Sequence, residues 1–301
     1  MTQTVLLVGA TGTLGHRIAA HLVSQPTTTL RLLVRPGAVQ DPAKNALLEQ
    51  LGAVGARTVE GSLDDPASLD AAVAGVDVVV SAVQGGAETI LTGQLALAGA
   101  AEAAGVRRFL PSDFALDFFS APEGAPMFDL RRELAARLAE LDLDVLHVLN
   151  GAFMDMMLDP RTAGVVDLDQ RVGRYWGTGT DLFDLTLIED VAAFTARLAT
   201  DPTAGAGTYA ISGSRTSFGA IIDLVEEVLG EPLRREQRGD REDLVAVIES
   251  ATNPWQAIVA WYNLAMISTP PLAEANARYP DLRPTTLEHH LRRTLPGRAA
   301  A

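Results

Sequence analysis

Short apolar runs alternate with longer amphipathic stretches through the first half of the chain. The runs are rich in valine and leucine, and the stretches between them are rich in alanine and leucine. This alternation is typical of βαβ units that build a parallel sheet. It predicts strands at about residues 4–8, 30–34, 56–60, 76–82, 108–110 and 145–149.

The fourth of these strands is almost continuously apolar, with Asp77 as the one charged residue inside residues 76–82. Such a run is expected where helices cover both faces of a sheet, so this strand is predicted to be central. A helix is predicted at about residues 88–104, ending before Gly105, which suits the left-handed position after a helix. Another is predicted at about residues 127–141, with four leucines on one stripe: Leu130, Leu134, Leu138 and Leu141.

The regular pattern ends near residue 150. A Gly/Thr-rich segment at 174–180 is followed by predicted helices from about 188 and at 217–229, a short strand at 208–211, and a tail with tryptophans and prolines. The prediction is therefore an α/β fold, a Rossmann-like doubly wound parallel sheet (residues 1–150) with a smaller C-terminal α+β lobe (residues 151–301). The boundary is soft, because later segments can return to the sheet. The lobe is expected to close a pocket over the carboxyl ends of the strands.

Charge and composition exclude several classes of protein. With 24 Lys+Arg against 38 Asp+Glu, the net charge is −14, and no basic run suggests a nucleic-acid partner. The absence of cysteine excludes disulfides, thiolate nucleophiles and cysteine-ligated zinc. No apolar run approaches the roughly 20 residues that span a bilayer, and no basic leader precedes the first strand. We therefore expect a cytoplasmic protein that binds neither membrane nor nucleic acid, with monomer and homodimer both open.

A glycine-rich turn follows the first predicted strand and opens a helix. Glycines at this spacing permit a tight turn, a close approach of the backbone to a pyrophosphate, and close helix–strand packing, while helix amides face the anion. The turn predicts a dinucleotide site; the alternative is a purely structural turn. The predicted binding residues are Gly9, Thr11, Gly12, Thr13, Leu14 and Gly15.

The residue after the second predicted strand indicates which dinucleotide is bound. An NAD site of this type usually places a carboxylate there for the ribose hydroxyls. No Asp or Glu occurs between His16 and Gln40, and Arg35 stands at the expected position. Because a guanidinium can fork onto a 2′-phosphate, NADP(H) is the predicted cofactor. The alternative is that Arg35 is a solvated turn residue and the site accepts both dinucleotides.

Several segments together resemble the NmrA-like and isoflavone-reductase-like group of atypical short-chain dehydrogenases. They are residues 9–15, 33–35, 77–83, 108–114 (Arg-Phe-Leu-Pro-Ser-Asp-Phe), 150–155 and 188–192. The resemblance implies a two-lobed NADPH-binding protein in which Phe153 lies near the nicotinamide. It also implies that the cofactor channel is lined by Ser81, Ala82, Val83, Gln84 and Ser112.

One departure from this group concerns the proton donor. Its reductases carry a lysine on the helix after the Pro-Ser-(Asp/Glu)-Phe segment, where this sequence has Arg131 and Arg132. Lys44, the only lysine, lies too early, and no tyrosine begins a Tyr-x-x-x-Lys pair. If Arg131 takes the place of the lysine, it can polarise a carbonyl or fix the ribose. Its high pKa makes it a poor proton donor.

Other candidate acids remain. Asp113 either faces the pocket or holds the preceding turn, and His147 either faces the pocket or packs within the sheet. Tyr175 opens the Gly/Thr-rich segment. The predicted catalytic residues are Arg131, Asp113 and His147. No metal site is predicted, since His289 and His290 have no third ligand nearby in sequence.

The resulting functional hypothesis is an NADPH-dependent reductase that transfers a hydride to a hydrophobic aromatic or polycyclic ketone or enone, without the usual Tyr/Lys proton relay. Trp176, Trp255, Trp261 and Phe153 either line its substrate cavity or belong to a core. The alternative is an NADP(H)-binding redox sensor without catalysis, which passes its signal to a protein partner. A non-redox isomerase or cyclase is a third hypothesis that the sequence does not separate from these.

Overall fold

A computed structural model describes residues 2–159 and 161–295 of the chain. The helices in this part of the chain are α1 Thr13–Val23, α2 Pro42–Ala53, α3 Pro66–Val73, α4 Gln94–Ala103, α5 Pro126–Leu138, α6 Ile188–Thr200, α7 Phe218–Leu229, α8 Arg241–Ser250, α9 Pro254–Met266 and α10 Leu287–Thr294. The strands are β1 Gln3–Val8, β2 Thr28–Val34, β3 Arg57–Glu60, β4 Val78–Ser81, β5 Arg108–Leu110, β6 Asp144–Leu149, β7 Ala152–Phe153, β8 Val166–Asp167, β9 Val172–Trp176, β10 Phe183–Thr186, β11 Gly207–Ala210, β12 Ser214–Thr216 and β13 Arg234–Gly239.

Seven strands form one sheet in the order β11-β6-β5-β4-β1-β2-β3. Neighbours from β6 to β3 all pair in parallel. The predicted Rossmann-like α/β fold is confirmed, and β4 is the central strand, with all four of its residues buried. The strand order reverses between β1 and β4. In doubly wound sheets, ligands bind outside the carboxyl ends of the strands at this switch point.

One core cluster joins the sheet to three helices. Leu6 of β1, Val79 of β4 and Phe109 of β5 each lie on the face that α3, α4 and α5 cover. The helices contribute Leu69, Ala72, Val73, Leu97, Ala98, Ala101, Leu134 and Leu138. Each fully buried aliphatic side chain contributes on the order of 2 kcal/mol through the hydrophobic effect. The stripe of leucines therefore fixes α5 against the sheet.

A buried arginine ties α6 to the main sheet. Arg108 of β5 is 1% exposed, and its two terminal nitrogens donate to the carbonyls of Ala199 (2.9 Å) and Ala204 (2.6 Å). These carbonyls lie at and after the C-terminal end of α6, where helices leave acceptors without partners. Burial lowers the pKa of the guanidinium. Arg108 thus caps a helix from within the sheet.

Two helices differ from the sequence prediction. The helix expected at residues 88–104 begins with a π-helical turn, Glu88–Gly93, before α4. The helix expected to reach residue 141 ends at Leu138, because its last bonds tighten to the three-residue spacing, including Leu141 N to Leu138 O (3.1 Å). Leu141 still packs against the core as the leucine stripe predicts.

The chain divides into two compact units. The first comprises Met1–Asp113, Asp129–Val148 and Val191–Tyr209, and the second comprises Phe114–Phe128, Leu149–Asp190 and Ala210–Ala301. Within the second unit, β12-β10-β7 and β13-β9-β8 form two three-stranded sheets. The strand predicted at 208–211 is β11, which joins the main sheet. None of the described helices is long and apolar enough to cross a membrane.

Candidate functional site

The turn after β1 lies at the switch point of the sheet. Gly9 has φ of 92°, a backbone conformation that favours glycine. A Cβ atom at this position would lie 2.3 Å from the carbonyl oxygen of Ala82, the residue that follows β4. Any side chain at Gly9 would therefore push the carboxyl ends of the two central strands apart.

The same turn brings α1 close to the sheet and exposes the start of the helix. A Cβ at Gly15 would lie 2.2 Å from the Gly9 carbonyl oxygen, so α1 packs directly on the turn. Gly12 is the N-cap of α1, has an ordinary φ of −85°, and provides no side-chain cap. Both Gly12 and Thr13 are exposed, whereas Thr11 and Leu14 are half-buried. Backbone amides and the positive end of the helix dipole can hold a diphosphate here.

Arg35 directly follows β2 and is exposed. Within residues 2–159 and 161–295, its guanidinium makes no hydrogen bond or ion pair. Arg31 on the same strand differs, because its side chain donates to the carbonyls of Ala72 (2.6 Å) and Ala74 (2.9 Å). Arg35 can therefore bind an anion without breaking an internal contact.

The ends of β4 and β5 are joined by polar contacts. Ser112 donates from its hydroxyl to the carbonyl of Val83 (2.6 Å), and its backbone N–H donates to Oε1 of Gln94 (2.8 Å). The Oγ atom of Ser81 is buried without a hydrogen-bond partner among the described residues. Gln84 is exposed. The predicted channel residues Ser81, Ala82, Val83 and Ser112 thus lie on two adjacent strand ends.

Gln94 was missed by the sequence interpretation. Its side chain is fully buried and also donates from Nε2 to the Ile90 carbonyl (2.9 Å), which belongs to the π-helical turn. Gln94 shares the buried stripe of α4 with Leu97, Ala98 and Ala101. A polar side chain on an apolar helix stripe is the signal that could have identified it.

The three predicted catalytic residues lie together in the first unit. The Nδ1 atom of His147 lies 2.6 Å from Oδ2 of Asp113, and their side chains are 13% and 1% exposed. Arg131 of α5 donates from Nε to the backbone carbonyl of Asp113 (3.0 Å). The other carboxylate oxygen of Asp113 is buried without a hydrogen-bond partner in the part of the chain that the structure describes. The arrangement is an imidazole oriented by a buried carboxylate.

Comparison with known proteins identifies the family of this chain. The sequence matches the family model described as "NmrA-like family" over residues 1–291. The chain belongs to the NmrA-like family. This confirms the resemblance found in the glycine-rich turn and in the segment around Asp113.

Named relatives of this NmrA-like chain cover most of it. Pinoresinol reductase 1 of Arabidopsis thaliana is 30% identical over 307 residues, covering 96% of each chain. An "NmrA-like family domain-containing oxidoreductase" of Gibberella moniliformis is 30% identical, covering 81% of this chain and 82% of that protein. The solved structure "AtPrR2 with NADP+ and (+)pinoresinol" has a TM-score of 0.83 at 26% identity, covering 97% of this chain and 98% of the other.

The remaining candidates of this NmrA-like chain lie in the second unit. Phe153 is half-buried on β7 and pairs with Thr186 of β10. Tyr175 is half-buried on β9. The assignment of these two residues to the site stays a prediction.

The tryptophans of the second unit differ in environment. Trp176 is 9% exposed, and its indole nitrogen is buried without a hydrogen-bond partner among the described residues. Trp255 is 44% exposed and donates from its indole nitrogen to the carbonyl of Arg161 (2.8 Å). Trp261 is half-buried. A cavity lined by these three tryptophans and Phe153 remains a prediction.

The two C-terminal histidines lie on α10. His289 is exposed and His290 is half-buried, and burial lowers the pKa of His290. Across residues 2–159 and 161–295, no three histidine, aspartate or glutamate side chains are grouped closely enough to hold a metal ion.

Proposed function

We propose that this chain is an NADPH-dependent reductase that transfers a hydride to a hydrophobic aromatic substrate, with an aryl or polycyclic ketone or enone as the preferred class. The observation that carries the proposal is the turn at the switch point. There Gly9 and Gly15 leave no room for a Cβ atom, and the amides of α1 remain without a side-chain cap. Such a turn accepts the diphosphate of a dinucleotide.

The residues around this turn fit NADP(H). Gly12 and Thr13 would hold the diphosphate from the start of α1, and Arg35 would hold the 2′-phosphate after β2. The strand ends at 81–84 and Ser112 would line the path to the nicotinamide. Bound NADPH supplies the hydride, and the protein positions the acceptor and excludes water. The related AtPrR2 structure was solved with NADP+, which supports this assignment.

The named relatives support the class of substrate. They are reductases of pinoresinol, phenylcoumaran benzylic ethers and isoflavones by name, which are aromatic molecules. Hydride addition to a ketone or enone requires only an electrophilic carbon held beside the cofactor. This chain has no Tyr-x-x-x-Lys pair, and Arg131 and Arg132 stand on the helix where the reductases that it resembles carry a lysine. We therefore propose reduction without that relay.

Two measurements test the proposal. Calorimetry should detect NADPH binding, and absorbance at the nicotinamide band should fall when NADPH is mixed with an aryl ketone, a cyclic enone or pinoresinol. Gly12→Val should abolish binding and preserve the overall fold. Gly12 has an ordinary φ, and its Cβ would lie 3.3 Å from the Gly9 carbonyl oxygen, a tight contact that a local shift of a few tenths of an ångström relieves. Gly52→Val on α2 is the control, since a Cβ at Gly52 meets no atom within 4 Å.

The outcomes separate the hypotheses. Binding without oxidation by any acceptor, together with a marked difference in affinity between NADP+ and NADPH, would favour the redox sensor. Absence of heat with either form of the cofactor would refute both the reductase and the sensor. Retained binding in Gly12→Val would show that this turn does not contact the phosphates.

A further inference from the structure

We propose that His147 donates the proton that completes the reduction, with Asp113 as its positioning residue, in place of the lysine that this chain lacks. This inference rests on the proposed reductase function. It assigns a catalytic acid to a chain whose family motif has an arginine at the expected position. In this proposal Arg131 does not donate the proton.

The contact between the two side chains is short and shielded from solvent. Asp113 is 1% exposed, and its Oδ2 lies 2.6 Å from Nδ1 of His147. The second carboxylate oxygen has no hydrogen-bond partner among the described residues, so the imidazole is the neighbour that offsets its charge. A buried carboxylate stabilises a protonated imidazole and fixes its ring orientation. His147 is thereby held through Nδ1, and Nε2 is the ring nitrogen that would donate the proton.

Hydrogen bonds of its backbone fix the position of Asp113. The N–H of Asp113 donates to the carbonyl of Pro111 (2.9 Å), and its carbonyl accepts from Nε of Arg131 (3.0 Å). The preceding residue, Ser112, is fixed by Gln94 and Val83. Arg131 therefore acts on the position of Asp113.

The pair lies at the edge of the sheet where ligands of this fold bind. Asp113 comes three residues after the end of β5, and His147 is two residues before the end of β6. Carboxyl ends of parallel strands share one edge, and the switch point lies at that edge. His147 keeps 13% of its side chain exposed, so a ligand can reach the imidazole while the carboxylate stays covered.

Two polar side chains on the neighbouring strands have partners of their own. Arg108 of β5 is bound to the carbonyls of Ala199 and Ala204. Tyr209 of β11, the strand beside β6, donates its hydroxyl to the Gly205 carbonyl (2.8 Å). Asp113 is the carboxylate that contacts the His147 imidazole.

The step balances with these groups alone. The carbonyl carbon of the substrate gains the hydride of NADPH, and the electron pair of the C=O bond moves to oxygen. The N–H bond at Nε2 of the imidazolium breaks, and an O–H bond forms. The products are the alcohol, NADP+ and a neutral imidazole, which takes up a proton from solvent. Asp113 exchanges no proton with the substrate in this step.

The test compares His147→Gln and Asp113→Asn with His289→Gln, an exposed histidine on α10. In the wild type, kcat should depend on pH, because a general acid must carry its proton to react. His147→Gln should lower kcat by about 10²–10⁴-fold and remove this pH dependence. NADPH affinity, measured by calorimetry, should change less than about twofold, because the imidazole acts on the substrate. His289→Gln should leave the rate and the pH profile unchanged.

A second measurement needs neither cofactor nor turnover. Nitrogen-15 NMR of the free protein should show a proton on Nδ1 of His147, and Asp113→Asn should alter that signal. An Nδ1 signal indifferent to Asp113→Asn, or a His147→Gln variant that retains its rate and pH profile, would overturn the proposal while leaving the reductase function standing. If His147→Gln does not fold, the pH profile of Asp113→Asn decides instead. Absence of NADPH binding in the wild type would mark failure of the proposed function itself.

Discussion

Replacing Arg35 by alanine should weaken the binding of NADPH far more than the binding of NADH. The guanidinium is exposed and bound to no other described group, so its loss removes only what it contributes to the ligand. A hydrogen bond to a charged group contributes about 1.5–3 kcal/mol, and an exposed ion pair contributes about 0–1 kcal/mol. We expect a loss of about 1–3 kcal/mol for NADPH, which weakens binding roughly 5- to 150-fold. NADH lacks the 2′-phosphate, and its affinity should change less than about twofold.

Isothermal titration calorimetry with both reduced cofactors measures this difference directly. Arg57→Ala is a matched control, because Arg57 is an exposed arginine on the neighbouring strand β3. Higher ionic strength should reduce the effect of Arg35→Ala, since screening weakens an exposed ion pair. Equal losses for NADPH and NADH, or an equal effect of Arg57→Ala, would refute recognition of the 2′-phosphate by Arg35.

Three further predictions concern the stability of the fold. Gly15→Ala should abolish NADPH binding and lower the urea midpoint, since its Cβ would lie 2.2 Å from the Gly9 carbonyl oxygen; an unchanged midpoint would contradict this packing. Arg108→Ala should lower the free energy of unfolding by about 2–4 kcal/mol in urea titrations, because two buried carbonyls lose their donor. Burial lowers the pKa of His290 in the folded state. The neutral imidazole therefore stabilises the fold at pH values above the pKa of the unfolded chain, and this contribution is lost as the pH falls through the pKa of the folded state. The urea midpoint of the wild type should therefore fall more than that of His290→Gln between about pH 7.5 and pH 5.

The pattern of apolar residues was sufficient to predict the strands of the main sheet. The runs that predict β1, β2 and β4 are nearly continuous, because both faces of these strands are covered, and the central place of β4 follows from the same property. In the second unit the pattern fails at β13, whose sequence Arg-Arg-Glu-Gln-Arg-Gly has no apolar residue. Its pairing with β9 depends on backbone hydrogen bonds, which a hydrophobic pattern does not reveal.

The candidate site likewise has one part that the sequence predicts and another that it does not. The glycine-rich turn is local, so its spacing, together with the strand before it and the helix after it, predicts where a diphosphate can bind. The contact between Asp113 and His147 joins residues 34 positions apart, and it depends on adjacent strands β5 and β6 ending at one edge. The sequence identified both side chains as candidate acids but offered no means of pairing them. Gln94 was not identified because its side chain binds the backbone N–H of Ser112, which follows the neighbouring strand β5.

The interleaving of the two units bears on how such a chain can evolve. Three segments of each unit alternate along the sequence, so the polypeptide passes between the units five times. Neither unit corresponds to one stretch of gene, and no single recombination event can transplant either of them into another protein. New specificities in such an architecture must arise by point substitution and by small insertions in loops.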